Sequence, residues 1–224
     1  MRNLKTIRLI GIIVIAAGIM LFSGCATAPR KTAYPYEYPS IAATKPDAPT
    51  AALVDFTDKR EDRSQDAIFS ETPVTLLSKA LNAELLAGGV FSKIEIGSQS
   101  AGGTRWLIEG ELQDLSWAVP NHGAIVKTAF WTSFLTGGIG GLAYGATETP
   151  VFGRAKLLIR VVDRTSGKAL VSEVLESVYE ERMAKLKCDT PNTRGRVMTM
   201  ALKQVLLKVT PLIAKTLASS GSAP

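Results

Sequence analysis

TAALVDF at 50–56, SETPVTLLSKALNAELLAGG at 70–89 and VFSKIEI at 90–96 read as strand, helix and strand in succession. The first is a short apolar run ending near Asp55. In the second, Ser70 or Thr72 can cap a helix, with Pro73 in its first turn. Val74, Leu77, Leu81 and Leu85 recur at helical spacing, and Gly88-Gly89 ends the helix where φ > 0 is needed. The third is rich in β-formers. A strand, a helix and a strand at this spacing predict a right-handed crossover and a parallel pair.

Outward from this unit, TRWLIEGELQDLSW alternates Trp106, Ile108, Gly110 and Leu112 against Glu109 and Glu111, the pattern of a half-buried strand. AKLLIRVVD (155–163) and ALVSEVLESVYEE (169–181) flank RTSGK, where Gly167 suits a hairpin turn. A final helix is expected near Thr193–Leu217, with Val197, Ala201, Val205 and Val209 among its apolar residues. Pro211 is expected to interrupt it or to start a second short helix. The expected fold is α+β, β-α-β-β-(insert)-β-β-α. About five strands form a mixed sheet, and two main helices cover one face. The domain spans residues 50–218, and 219–224 is a disordered tail.

The N-terminus reads as an address. Arg2, Lys5 and Arg8 precede the apolar run Leu9–Phe22, and Ser23-Gly24 precede Cys25, the layout of a secretory signal at 1–24. Phe22-Ser23-Gly24-Cys25 resembles a bacterial lipobox, which implies acylation at Cys25 and cleavage before it. Ala26 follows rather than Asp, so the resemblance implies the outer membrane, facing the periplasm, over inner-membrane retention. Residues 25–49 then read as a Pro/Tyr-rich linker able to reach roughly 70 Å. Its Tyr34, Tyr36 and Tyr38 can dock on the domain or a partner, or stay solvated. The formal charge is +6, and loss of Arg2, Lys5 and Arg8 with the signal leaves about +3. That mild excess, with the periplasmic address, points to no nucleic acid. Cys188 is left without a partner in its own chain, as a buried thiol or an intermolecular bridge.

The order of AALVDFTDKR, ALNAELLAGGVFSKIEI, WLIEGELQDL, KLLIRVVDRTSGKAL and a closing helix behind a lipobox resembles small periplasmic α/β lipoproteins. These include the YajG-like lipoproteins, LpoB, PelC, the periplasmic part of CsgG and the N-terminal domain of TolB. The resemblance implies a non-enzymatic adaptor, assembly factor, ring-former or secretion component. It implies an envelope protein partner or a homo-oligomer. With a single histidine and no CxxC or Walker loop, no cofactor and no metal are expected.

Nothing in the chain reads as catalytic machinery. His122, the one histidine, is expected on a solvated loop. Asp55, Asp58, Lys59, Arg60, Glu61, Asp62, Arg63 and Asp66 follow the first strand's carboxyl end, a common place for sites. Their mixed signs suit a self-neutralised loop or a protein contact through Asp55, Asp58 and Arg60 better than a cation site. The other candidate is TAFWTSFLTGGIGGLAYGAT (128–147), which carries no charge and forms the core of an insert over 128–149. As a helix, it would put Gly137, Gly141 and Gly145 on one face. Three readings stand. In the first it is an ordered insert, helical over Ala129–Leu135, burying Phe130, Trp131, Phe134 and Leu135 on the domain or a partner. In the second it touches the membrane, with Trp131 and Tyr144 near the interface. In the third it is a β-hairpin arm of an oligomeric channel.

Overall fold

A computed structural model describes residues 36–40, 47–97 and 103–220. The signal, Cys25 and Tyr34 lie outside the described residues, as do 98–102 of the expected turn and the last four residues of the tail. The described chain runs β1 (Thr50–Leu53), β2 (Thr57–Asp58), α1 (Pro73–Ala87), β3 (Lys93–Ile96), β4 (Trp106–Ala118), α2 (His122–Leu135), α3 (Ile139–Ala146), β5 (Glu148–Asp163), β6 (Lys168–Ala184) and α4 (Pro191–Ser219). It is a mixed α+β fold on one six-stranded sheet.

The strand order is β3-β1-β4-β5-β6, with β2 also on β4. β1 pairs in parallel with both β3 and β4, so the first strand–helix–strand unit forms the parallel half of the sheet. β4–β5 and β5–β6 are antiparallel. The sixth strand comes from the charged loop, where Thr57 and Asp58 pair with Glu111 and Leu112.

α1 starts as its sequence asks. Thr72 Oγ1 accepts from Thr75 N at 3.3 Å, and Pro73 occupies the first turn. It ends at Gly88, and Gly89 takes the positive φ of 63°. Leu77, Leu81 and Leu85 are fully buried, and each contributes about 1.5–3 kcal/mol by burial. α4 is one continuous helix through Pro211, longer than expected. Thr190 caps it by accepting from Thr193 N at 3.2 Å. Proline cannot donate to the carbonyl four residues back, yet the helix continues because its packing outweighs one lost bond. By length and composition α4 passes for a membrane span. Val197, Met198, Leu202, Val205, Leu206, Val209 and Ile213 are instead buried in the core.

α4 lies directly on β5. A Cβ on Gly153 would collide with the Val197 carbonyl and sit 2.8 Å from Met198 N, so only glycine admits the helix there. Similarly, Phe56 packs over Gly110 of β4. Along β4 the buried set is Trp106, Ile108 and Leu112, then Leu115 after a bulge between Leu112 and Asp114 restores the inward phase. The other side of β4–β6 is left uncovered by α1 and α4. It carries Glu109 opposite Arg160 and Asp114 opposite Lys156, with Val174 and Val178 exposed on β6.

Tyr36 takes the docked alternative for the linker tyrosines. Its ring is buried in the core and its hydroxyl donates to Glu84 Oε1 at 2.6 Å. Burial, reinforced by the Glu84 carboxylate, pushes its pKa above the ordinary phenol range. Residues 36–40 therefore lie at the domain edge. Tyr38 stays half-exposed, with its ring 5.1 Å from that of Tyr36.

Candidate functional site

The charged loop folds around Arg60. Its side chain is buried, and its guanidinium meets two carboxylates. Nε and Nη2 donate to Asp58 Oδ1 and Oδ2 at 2.9 and 2.7 Å. Nη1 and Nη2 donate to Asp66 Oδ1 and Oδ2 at 2.8 and 3.0 Å. Burial acts to lower the pKa of Arg60, and the hydrogen bonds to Asp58 and Asp66 more than offset it. The Arg60 side chain holds Asp58 below its ordinary value. Both edges of the fork are occupied, so Asp58 and Arg60 hold the loop together and are not free to bind. Asp55 points to solvent outside this clamp. A groove of about 350 Å³ beside it is lined by Lys59, Glu61, Gln113 and Trp117 among others.

The charge-free stretch is built differently. β4 ends at Ala118, and the chain reverses through Asn121 at φ 56°, a conformation asparagine tolerates. α2 then starts at His122, so this histidine opens a helix and does not lie in a loop. Its Nε2 is 3.1 Å from Asp189 Oδ2, and its ring meets Trp117 edge-on at 6.1 Å. Asp189 also accepts from Arg194 Nε at 2.7 Å, and Arg194 lies over the Trp117 ring. This cluster ties the root of α2 to the start of α4. Beside it Cys188 is a buried free thiol whose Sγ donates to the Lys185 carbonyl at 3.0 Å, and burial pushes its pKa up.

α2 and α3 form a helical hairpin. Gly137 and Gly138 turn the chain at φ 61° and 100°. Gly141 faces α2, where an added Cβ would stand 2.8 Å from Ser133 Cβ and 3.1 Å from the Ala129 carbonyl. Gly145 sits against Leu186, and Lys185 Nζ lies 3.9 Å over the Tyr144 ring. The three glycines thus do separate jobs and do not share a face: Gly137 turns the chain, Gly141 admits α2, and Gly145 admits the segment after β6. The glycine-rich half is helical too, contrary to expectation. Helix precedes Ala129, and β5 begins at Glu148, inside the expected insert.

The hairpin does not fold its apolar side chains onto the domain. Phe134, Leu135 and Ile139 are 72%, 76% and 75% exposed, and Val126, Phe130, Trp131 and Leu142 are exposed as well. Trp131 touches Phe130 and Phe134 edge-on at 5.7 and 6.1 Å, an aromatic row open to solvent. Only Ile125 of α2 is buried. Three of the hydroxyls are consumed internally. Thr132 donates to the Thr128 carbonyl at 2.8 Å, Thr136 to the Thr132 carbonyl at 2.6 Å, and Thr147 to the Tyr144 carbonyl at 2.7 Å. Thr136 Oγ1 also accepts from Gly140 N at 2.7 Å, satisfying the start of α3. The polar atoms of these three threonines therefore need little from water. The hairpin is helical, which removes the β-arm form of the channel reading. The charge-free part of α2, Thr128–Leu135, rises about 12 Å, well short of a bilayer core of about 30 Å.

Nothing in composition distinguished an apolar run that is exposed from one that is buried. The signal for exposure was weak: Val126, Phe130, Trp131, Phe134 and Leu135 share α2 with Lys127, Thr128, Thr132 and Ser133, which leaves no clean apolar stripe for the core. Arg60 as a buried clamp could be suspected only from carboxylates two and six residues away.

No family model and no curated protein matches the chain by sequence. Its fold is similar to solved structures. One is a DUF330 protein of Xanthomonas campestris, with TM-score 0.48 and 9% identity, covering 81% of this chain and 95% of that one. Another is the PelC dodecamer of Paraburkholderia phytofirmans, with TM-score 0.36, 10% identity and coverages of 75% and 93%. A third is the lipoprotein GNA1162 of Neisseria meningitidis, with TM-score 0.38, 10% identity and coverages of 73% and 99%. All three TM-scores are below 0.5, and no role is carried across from these proteins.

Proposed function

We propose that this chain is a bacterial envelope lipoprotein, anchored through Cys25 in the outer membrane and facing the periplasm. It acts without catalysis, as a binding or assembly factor for an envelope complex. The observation that carries this is the α2–α3 hairpin. Its Val126, Phe130, Trp131, Phe134, Leu135, Ile139 and Leu142 are exposed, and the domain's own core does not cover them. A surface of the envelope outside this domain, protein or lipid, has to cover them. The lipobox-like Phe22–Cys25 supports the address, and the two-sided occupation of Arg60 supports a structural rather than chemical role for the charged loop.

Palmitate labelling in cells, with cross-linking and affinity capture from the envelope, tests this reading. The wild type is expected to carry label in the membrane fraction and to bring down envelope proteins. Cys25→Ser is expected to lose the label. A wild type that takes no label and captures no envelope protein overturns the proposal.

A further inference from the structure

We propose that the α2–α3 hairpin seats its tip in the phospholipid surface of the membrane that holds the lipid anchor. The anchor is part of the reading above, and this inference rests on it for the choice of membrane. The occupant is a bilayer rather than a second copy or a protein groove, for two reasons.

The first is chemical. The tip leaves Phe134, Leu135, Ile139 and Leu142 in solvent, with no charge from Thr128 to Thr147. Such a surface enters lipid with no charged group to desolvate. The internal satisfaction of Thr132, Thr136 and Thr147 hydroxyls suits a medium without water.

The second is charge. Lys127 stands just before the charge-free stretch, and Lys185 and Lys187 stand at the hairpin's root, against Glu148 there. Asp189 is already engaged by Arg194 and His122. The free excess at the root is therefore basic, the sign that meets anionic headgroups. Lys185 packs on Tyr144, an aromatic of the kind found at headgroup level.

The mature chain starting at Ala26, exported behind a plain signal and carrying no lipid, tests this with vesicles of phosphatidylethanolamine and phosphatidylglycerol bearing brominated acyl chains. Expected are co-sedimentation that survives high salt and quenching of tryptophan fluorescence that disappears in Trp131→Phe. Trp106 is buried and remains as the folding control. Phe134→Asp is expected to bind about tenfold more weakly or worse, with unchanged circular dichroism. Chain that stays in the supernatant, or quenching unaffected by Trp131→Phe, overturns the inference. So does a self-association that Phe134→Asp abolishes while vesicle binding is unaffected, since that assigns the tip to a second copy. Because the tested chain has no lipid, failed palmitate labelling of the wild type would break the anchor reading and leave this result standing.

Discussion

Arg60 and Phe134 occupy opposite environments. Arg60 carries a full charge and is buried, forked between Asp58 and Asp66. Phe134 carries none and is among the most exposed large side chains described. The charged loop has become interior scaffolding, and the apolar run has become surface. Charge goes inside when its partners come with it, because pairing and hydrogen bonds offset the cost of leaving water. An apolar helix stays outside when the chain has no further layer to place over it. Function is sought at the second kind of site, where the molecule leaves an interaction unfinished.

The comparison breaks most visibly at Arg60. Arg60→Ala leaves Asp58 and Asp66 without their buried cation, with only the exposed Arg63 at 3.5 Å from Asp58, and stability is expected to fall by about 3 kcal/mol in urea unfolding. A loss below about 0.5 kcal/mol would mean that the clamp is ornamental. A smaller effect is expected within the hairpin. Gly141→Val drives a side chain into Ser133 and the Ala129 carbonyl, costing about 1–3 kcal/mol locally. Amide exchange should accelerate across α3 while the sheet stays protected, because the hairpin lies outside the main core.

Acid sharpens the contrast further. Asp58 has its pKa depressed below 3.8, so its contribution is present above the unfolded value and is lost as pH falls through the folded one. Melting temperature should drop below about pH 4 with a slope that Arg60→Ala reduces. Hairpin variants should follow the wild-type pH curve. The smallest expected effect is Leu135→Asp, whose unfolding free energy should stay within about 0.5 kcal/mol of wild type. A clear loss of stability in that variant would show that the hairpin packs on its own domain in solution.

Much of the architecture was legible in residue order. Leu77, Leu81 and Leu85 at helical spacing, Trp106–Leu112 at period two and Gly167 between two strands are local signals, and each element formed where its period placed it. The extents were less legible. β5 and β6 run beyond the apolar stretches because cross-strand hydrogen bonds from Glu148↔Ala184 to Asp163↔Lys168 stabilise polar positions too. Tyr36 looked like spacer among prolines, since a single aromatic has no periodicity and its partner Glu84 is 48 residues away. The candidate site was half legible. Phe130, Trp131, Phe134 and Leu135 stood out by composition, but their exposure depends on what the rest of the chain can reach. Gly141 likewise needed the facing helix to explain it.

The burial of Tyr36 makes one phenol a reporter of the helical layer. Its ring lies in the core and its hydroxyl donates to Glu84 of α1, so loosening of that helix returns the group to water and brings its pKa back toward the ordinary phenol range. Alkaline titration followed in the ultraviolet would then read the opening of α1 from a side chain 48 residues away in sequence.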